Sequence, residues 1–244
     1  MPTITKAIIL AGGKGSRLHP VTLEIPKPLI PIRKQPLINY NLNLFACAGA
    51  TDVVVIIRPE DKPDYERWAR EWGSEFTRLG MGIQFFEEPE PMGTFGFIFH
   101  RLRGWAGDQD FFVSNGDEIK TIDLRKMVLF HQTANVPATV SLVVENERKD
   151  CGFVVVKEGR IVEFLEKQLL PPSNLMSAGL YALSPTVFEA MAVNFPTGKV
   201  SLMFETDLFP ALAKSQKLAG FVDERGKVFD CGTFERWEKA IREV

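Results

Sequence analysis

Residues 7–18 read Ala7-Ile8-Ile9-Leu10-Ala11-Gly12-Gly13-Lys14-Gly15-Ser16-Arg17-Leu18. The apolar run Ala7–Leu10 stops at a pair of glycines, the pattern of a fully buried strand leaving its sheet. Gly12, Gly13 and Gly15 let the backbone approach a ligand closely and aim N–H groups at it. Lys14 and Arg17 bring positive charge to the same loop, a combination that suits a nucleotide triphosphate. The loop has no GxxxxGK[ST] pattern, and Leu18 stands where a dinucleotide fingerprint needs its third glycine. Without a ligand, the same residues make a strand-to-helix turn with solvated charges.

Outward from this loop the chain alternates buried strands and helices. Asn39–Ala48 reads as a helix, with Pro36 near its start and Gly49 just past its end. Val53–Ile57, Ile83–Phe86, Phe111–Ser114 and Thr139–Val144 read as strands, and Thr94–Leu102 as a helix. Tyr65, Trp68, Ala69, Trp72, Phe76 and Leu79 recur at helical spacing, and Trp68, Trp72 and Phe76 read as a core stripe. Asp123 caps a helix running to about His131. This alternation implies βαβ units and a Rossmann-like, mostly parallel mixed α/β sheet flanked by helices. Such sheets take ligands beyond the carboxyl ends of their strands, so the loops after Leu10 and Ser114 are the first candidates for chemistry. The second half changes character. Phe153–Val156 and Ile161–Leu165 flank a hairpin turn containing Gly159, Met176–Leu183 is a strand, Phe204–Ala213 a helix, and Thr233 caps a last helix. This half reads as a smaller mixed lobe.

The chain has 244 residues, and its 29 Lys+Arg against 31 Asp+Glu leave a net charge of −2. That balance argues against a general nucleic-acid binder, so an anionic ligand must be met by a local cluster of positive charge. Cys47, Cys151 and Cys231 form neither CxxC nor CxxH spacing, which excludes the usual zinc patterns. The apolar run near the start is too short to span a membrane, and a cytoplasmic setting is expected. His19, His100 and His131 fall in no catalytic pattern, and Asp108 and Asp110 read as solvated loop charges.

Two further motifs carry chemistry. Pro26-Lys27-Pro28 lies ten residues after Arg17, and its prolines restrict the backbone of a lysine that would bind phosphate. Asn115-Gly116-Asp117-Glu118 puts a carboxylate at a strand end, a suitable Mg²⁺ ligand. Asp230 offers a second carboxylate or is an ordinary turn residue.

Taken with Glu90-Pro91-Met92-Gly93-Thr94, Phe164-Leu165-Glu166-Lys167, Ser177-Ala178-Gly179-Leu180-Tyr181 and Phe229-Asp230-Cys231-Gly232-Thr233, these motifs resemble the sugar-1-phosphate nucleotidyltransferase family. The resemblance spans nearly the whole chain and is nearest to mannose-1-phosphate guanylyltransferase-like enzymes. It implies the nucleotide-diphospho-sugar transferase fold with a small sugar-binding lobe. A single domain is implied over 1–244, with a nucleotide-binding half to about residue 145 and a sugar-binding half beyond, and no appended β-helix. Position by position, it implies that Leu10, Ala11, Gly12, Gly13, Lys14, Gly15, Ser16, Arg17, Glu88, Gly93, Thr94 and Gly116 surround the nucleotide. Lys27, Gly152, Glu166, Lys167 and Ser177 would hold the sugar phosphate, and Asp117 and Asp230 would bind Mg²⁺. Arg17, Lys27 and Asp117 would be catalytic. Ser16 stands where the family has Thr, Gln168 where it has Pro, and Ser177 where mannose-type enzymes have Asn.

The implied reaction is NTP + sugar 1-phosphate → NDP-sugar + pyrophosphate, with GTP and a manno-configured sugar expected. The base expectation rests on a carboxylate in Glu87-Glu88-Pro89-Glu90 accepting guanine's two adjacent donors, with Glu88 the leading candidate. A thymidylyl- or uridylyltransferase and a non-catalytic nucleotide-sugar-binding regulatory subunit are the alternatives. No nucleic-acid or membrane partner is expected, and a homo-oligomer stays open.

Overall fold

The computed structural model describes residues 3–168, 170–194 and 198–244. The strands are, in chain order, β1 (Lys6–Leu10), β2 (Pro31–Ile32), β3 (Gln35–Pro36), β4 (Asp52–Ile57), β5 (Gly82–Glu87), β6 (Phe111–Asn115), β7 (Glu118–Lys120), β8 (Ala138–Val144), β9 (Gly152–Lys157), β10 (Arg160–Glu166), β11 (Leu175–Leu183), β12 (Leu218–Val222) and β13 (Val228–Asp230). The helices are α1 (Val21–Glu24), α2 (Leu37–Ala48), α3 (Lys62–Arg78), α4 (Gly93–Arg101), α5 (Arg103–Ala106), α6 (Leu124–Ala134), α7 (Thr186–Asn194), α8 (Phe209–Lys214) and α9 (Phe234–Glu243).

One nine-stranded sheet runs in the order β5-β4-β1-β6-β11-β8-β12-β10-β9. Its first four strands are parallel neighbours, β11 and β10 run against the rest, and β8 and β12 are again parallel. The strands of the second half therefore extend the sheet begun by the first.

Strands covered on both faces need apolar side chains at every position, which is why β1 and β4 read as continuous hydrophobic runs. Ala7, Ile9, Val53 and Val55 enter one core, with Phe45 of α2, Tyr65 and Trp68 of α3 and Met127 of α6. Ile8, Val54 and Ile56 enter the other, with Phe95 and Ile98 of α4, Phe188 of α7 and Leu212 of α8. Burying each of the larger side chains stabilises the fold by about 1.5–3 kcal/mol. The caps follow the sequence. The Gly49 N–H closes α2 on the Ala46 carbonyl, Asp123 accepts from the Lys126 N–H at 3.1 Å, and Thr233 accepts from the Arg236 N–H at 3.3 Å. Among the described residues no helix is long and apolar enough to cross a membrane.

Three local features differ from the sequence reading. The segment from Phe204 opens as a wider π-type turn, Phe204–Leu208, before α8 begins. Strand β12 has glycine at its centre, which weakens a strand signal. The packing demands that glycine, since a Cβ on Gly220 would lie 2.7 Å from Leu142 Cδ1. Asp110, expected in solvent, is half-buried against His131, with Oδ2 3.8 Å from Nε2. Burial pushes the Asp110 carboxyl up.

His131 is 2% exposed, with Nδ1 2.7 Å from Thr139 Oγ1. Burial pushes its pKa down to about 4. The unfolded chain takes up this proton near pH 6.5 and the folded chain near 4, so the stabilisation is complete above 6.5 and drains away as pH falls through that window. The loss by pH 4.5 should be about 2–3 kcal/mol, because each tenfold difference in proton affinity between the two states is worth about 1.4 kcal/mol. Thermal unfolding of the wild type and His131→Gln between pH 7.5 and 4.5 checks this. The variant's Tm should fall less steeply, whereas parallel curves would mean His131 titrates as it does in the unfolded chain.

Candidate functional site

Strand β1 pairs with β6 in parallel, with Leu10 opposite Asn115, so the loops leaving both strands open on the same sheet edge. The Gly116 N–H donates to the Leu10 carbonyl at 2.9 Å. A Cβ at position 116 would stand 2.7 Å from that oxygen, so only glycine lets the strand ends meet. Asp117 then turns into a cavity of about 520 Å³. Leu10, Ala11, Gly12, Gly13, Gly15, Ser16 and Arg17 line it, together with Lys27, Glu88, Gly93, Thr94 and Asp117. Of the expected nucleotide residues, only Lys14 and Gly116 fall outside this lining. Lys14 is exposed on the loop, and Gly116 is buried at the strand junction.

Lys27 opens a short turn between its two prolines, and its side chain is only 6% exposed. Its Nζ donates to Asp117 Oδ2 at 2.5 Å and lies 4.0 Å from Asp230 Oδ1. Asp230 reaches this point because β13 pairs antiparallel with β7, placing it opposite Glu118. Burial works against the Asp117 charge, but the Lys27 ammonium outweighs it and holds the carboxyl below its usual range.

Asp230 is held on both oxygens. Oδ1 accepts from the Gly232 N–H at 2.7 Å, and Oδ2 accepts from Arg236 at 2.6 Å and Arg148 at 3.2 Å. Asp150 joins the same lattice, accepting from Arg236 at 2.7 Å and Arg148 at 3.3 Å, with Arg17 Nη1 at 3.9 Å. The Arg236 hydrogen bond, against burial, pulls the Asp150 carboxyl down to about 2. Behind Asp117, Lys120 Nζ donates to the Asn115 carbonyl at 2.8 Å and lies 3.4 Å from Glu118 Oε2. Burial pushes Glu118 up and Lys120 down, and each charge partly restores the other. Removing one partner of such a pair leaves an uncompensated buried charge, which is costly.

Elsewhere on the lining, Glu88 accepts from the Met92 N–H at 3.0 Å. Its Oε2 faces Gly12, 3.2 Å from where a Cβ would stand. Burial raises the Glu88 carboxyl, and that single N–H restores only part of the cost. Thr94 Oγ1 donates to Glu205 at 2.8 Å and accepts from the Phe204 N–H at 2.9 Å. In the first turn of α4, the Phe95 and Gly96 N–H groups donate to the Leu202 carbonyl. Residues 202–205 are thereby strapped across the start of α4.

Gly152, Glu166, Lys167 and Ser177 lie outside this cavity lining, on or beside β9, β10 and β11. Gly152 pairs with Glu166 across the hairpin, and Lys167 Nζ is 3.6 Å from Glu166. Burial, then the nearby Glu205 charge, raises the Glu166 carboxyl, so Glu205 adjoins both groups of residues. The sequence reading missed Glu205, Arg148, Asp150 and Arg236. The cluster Arg148-Lys149-Asp150 was the available signal for two of them.

The profile of a family described as nucleotidyl transferase matches residues 6–244. The chain belongs to that family. It is 33% identical over 220 residues to a mannose-1-phosphate guanylyltransferase of Mycobacterium tuberculosis, covering 89% of this chain and 58% of that protein. It is also 33% identical over 216 residues to the mannose-1-phosphate guanylyltransferase catalytic subunit beta of Drosophila pseudoobscura pseudoobscura, covering 88% and 56%. The chain thus spans between 56% and 58% of the length of these curated relatives. Among solved structures, a Bacillus anthracis glucose-1-phosphate thymidylyltransferase assignment superposes with TM-score 0.85 at 25% identity, covering 98% of this chain and 96% of that one. A UDP-glucose pyrophosphorylase complexed with UDP-glucose shares the fold, with TM-score 0.80 at 23% identity and 98% coverage of both chains. The mixed α/β fold is the one expected from the sequence.

The strap over α4 gives a test of the local packing. Gly93 has φ 79°, and a Cβ there would collide with the Leu202 carbonyl and lie 2.8 Å from Met203 Sδ. Gly93→Ala should destabilise the protein by about 1–3 kcal/mol or more, the cost of a side chain in the left-handed region plus the displaced strap. Denaturant unfolding reads this directly, and an unchanged midpoint would contradict the packing.

Proposed function

We propose that this chain transfers a nucleotidyl group from an NTP to a sugar 1-phosphate and releases pyrophosphate. GTP and mannose 1-phosphate, or a related manno-configured sugar phosphate, are the favoured pair. The observation that carries this reading is the convergence of the glycine loop, Lys27 and Asp117 on one cavity, with Asp230 just behind its lining at 4.0 Å from Lys27. In this reaction a sugar-phosphate oxygen bonds to the α-phosphorus as the bond to pyrophosphate breaks. The attacking oxygen is already ionised near neutral pH, so no side-chain nucleophile or base is required. The barrier lies in joining two anions and in charge growing on the leaving group, which makes positioning and electrostatics the main contributions.

The residues have parts that fit. The loop of Gly12, Gly13 and Gly15 offers backbone close to the phosphates, and Arg17 stands at its end. Lys27 neutralises charge at the reacting phosphates. The carboxylates of Asp117 and Asp230 lie 2.5 and 4.0 Å from the Lys27 ammonium, which supports a cation position shared between them. Two oxygen donors, with the remaining positions left to phosphate and water, is the usual protein share of a Mg²⁺ site. When bound there, the ion supplies charge neutralisation for the triphosphate. Gly152, Glu166, Lys167 and Ser177 would take the sugar phosphate beside Glu205.

For the base, Glu87 is engaged with Lys62 at 2.6 Å and Glu90 is exposed, so Glu88 is the carboxylate that faces the cavity. A half-buried carboxylate with one N–H donor suits guanine's paired donors, and the guanylyltransferase relatives support the same choice. The thymidylyltransferase-like structure keeps a pyrimidine nucleotide as the alternative.

Pyrophosphate release with GTP, UTP, dTTP, CTP and ATP, each paired with mannose, glucose and heptose phosphates, tests the assignment. GTP should lead by about tenfold or more, the worth of one to two charge-assisted hydrogen bonds, and Glu88→Gln should erode that preference. A clear lead for UTP or dTTP contradicts the reading of Glu88, and no release with any pair contradicts the activity itself. Asp117→Asn should lower kcat by roughly two to three orders of magnitude while the protein stays folded. A folded variant with more than a tenth of the wild-type kcat would contradict the role of Asp117.

A further inference from the structure

We infer that Lys27 is the resident cation of the metal site. In the free protein its ammonium holds the position between Asp117 and Asp230 that a divalent ion takes, so the ion enters only together with a triphosphate. The inference rests on the reading of Asp117 and Asp230 as metal ligands. It adds an order of events that the reading does not contain.

Lys27 Nζ lies 2.5 Å from Asp117 and 4.0 Å from Asp230. The same two aspartates have Arg148 and Arg236 within ion-pair distance, both on Asp230. Lys27, Arg148 and Arg236 face Asp117, Asp230 and Asp150, three positive charges against three negative ones, and Arg17 lies 3.9 Å from Asp150. A bare divalent ion therefore approaches a site whose carboxylates are already compensated. It must also expel an ammonium that is almost fully buried and would lose its partner. A triphosphate reverses the balance by bringing several negative charges into the cavity beside Arg17 and Lys27. The lysine stem is flexible enough to follow those charges while its backbone stays fixed between Pro26 and Pro28. The exchange is then coupled: the phosphates take the ammonium as Asp117 takes the ion.

Mn²⁺ binding to the full chain without nucleotide or sugar phosphate, followed by EPR, tests this with no turnover. The wild type should bind weakly. Lys27→Met and Lys27→Gln, each confirmed as folded by thermal unfolding, should bind at least about tenfold more tightly, whereas Lys27→Arg, which keeps the charge, should stay weak. Adding Asp117→Asn to Lys27→Met should abolish the gain. If both neutral variants bind Mn²⁺ no better than wild type while Asp117→Asn weakens wild-type binding, the metal site stands and the resident-cation inference fails. If the gain survives Asp117→Asn, it arises elsewhere and the inference fails again. If Asp117→Asn changes Mn²⁺ binding in no background, the metal-ligand reading fails first and the inference falls with it.

Discussion

The site depends on the contact between the ends of β1 and β6. Their parallel pairing puts Leu10 beside Asn115, and the Gly116 N–H bonds the Leu10 carbonyl where a side chain has no room. Two loops far apart in the chain therefore leave the sheet at one place. One carries backbone N–H groups and Arg17, and the other carries Asp117. The sheet keeps this junction rigid because both of its faces are covered, by α2, α3 and α6 on one side and by α4, α7 and α8 on the other.

Charge then organises the mouth. Asp117 and Asp230 are brought to one ammonium by the short β7–β13 pairing. Arg148 and Arg236 steady Asp230, and Asp150 ties both arginines and the nearby Arg17 to the same lattice. The isolated surface pairs of this protein contribute little, since exposed ion pairs are worth roughly 0–1 kcal/mol. The lattice at Asp230 differs because that carboxylate is only 8% exposed and makes several directional bonds. Its main effect is positional, as it fixes where one carboxylate oxygen points. On the opposite wall, the strap of residues 202–205 joins α4 to the region beside Glu166 through Thr94 and Glu205.

What the sequence made legible was local. The glycine loop, the proline-flanked Lys27, the strand-end Asp117 and the caps at Asp123 and Thr233 are each decided by a few neighbouring residues. Glu88 was legible only as one of three carboxylates. Consecutive strand residues point to opposite sides, so near the end of β5 Glu87 goes to Lys62 while Glu88 faces Gly12. Strand β12 was hidden by a glycine whose reason, the close approach of Leu142 and Ile161, is tertiary. Arg148, Asp150 and Arg236 were hidden in the same way. Each reads as a surface charge until the loop between β8 and β9, carrying Arg148 and Asp150, and α9, carrying Arg236, meet at Asp230. Asp110 looked solvated because nothing near it in sequence announces His131.

The central claim is that the β1 and β6 loops form one nucleotide and metal site. Anomalous diffraction from crystals grown with Mn²⁺ and the best NTP substrate tests it most directly. The account predicts a manganese peak within about 2.5 Å of carboxylate oxygens of both Asp117 and Asp230, with the triphosphate against Gly12–Arg17 and Lys27 Nζ on phosphate rather than on Asp117. A peak elsewhere, or a triphosphate that does not touch the glycine loop, would contradict it.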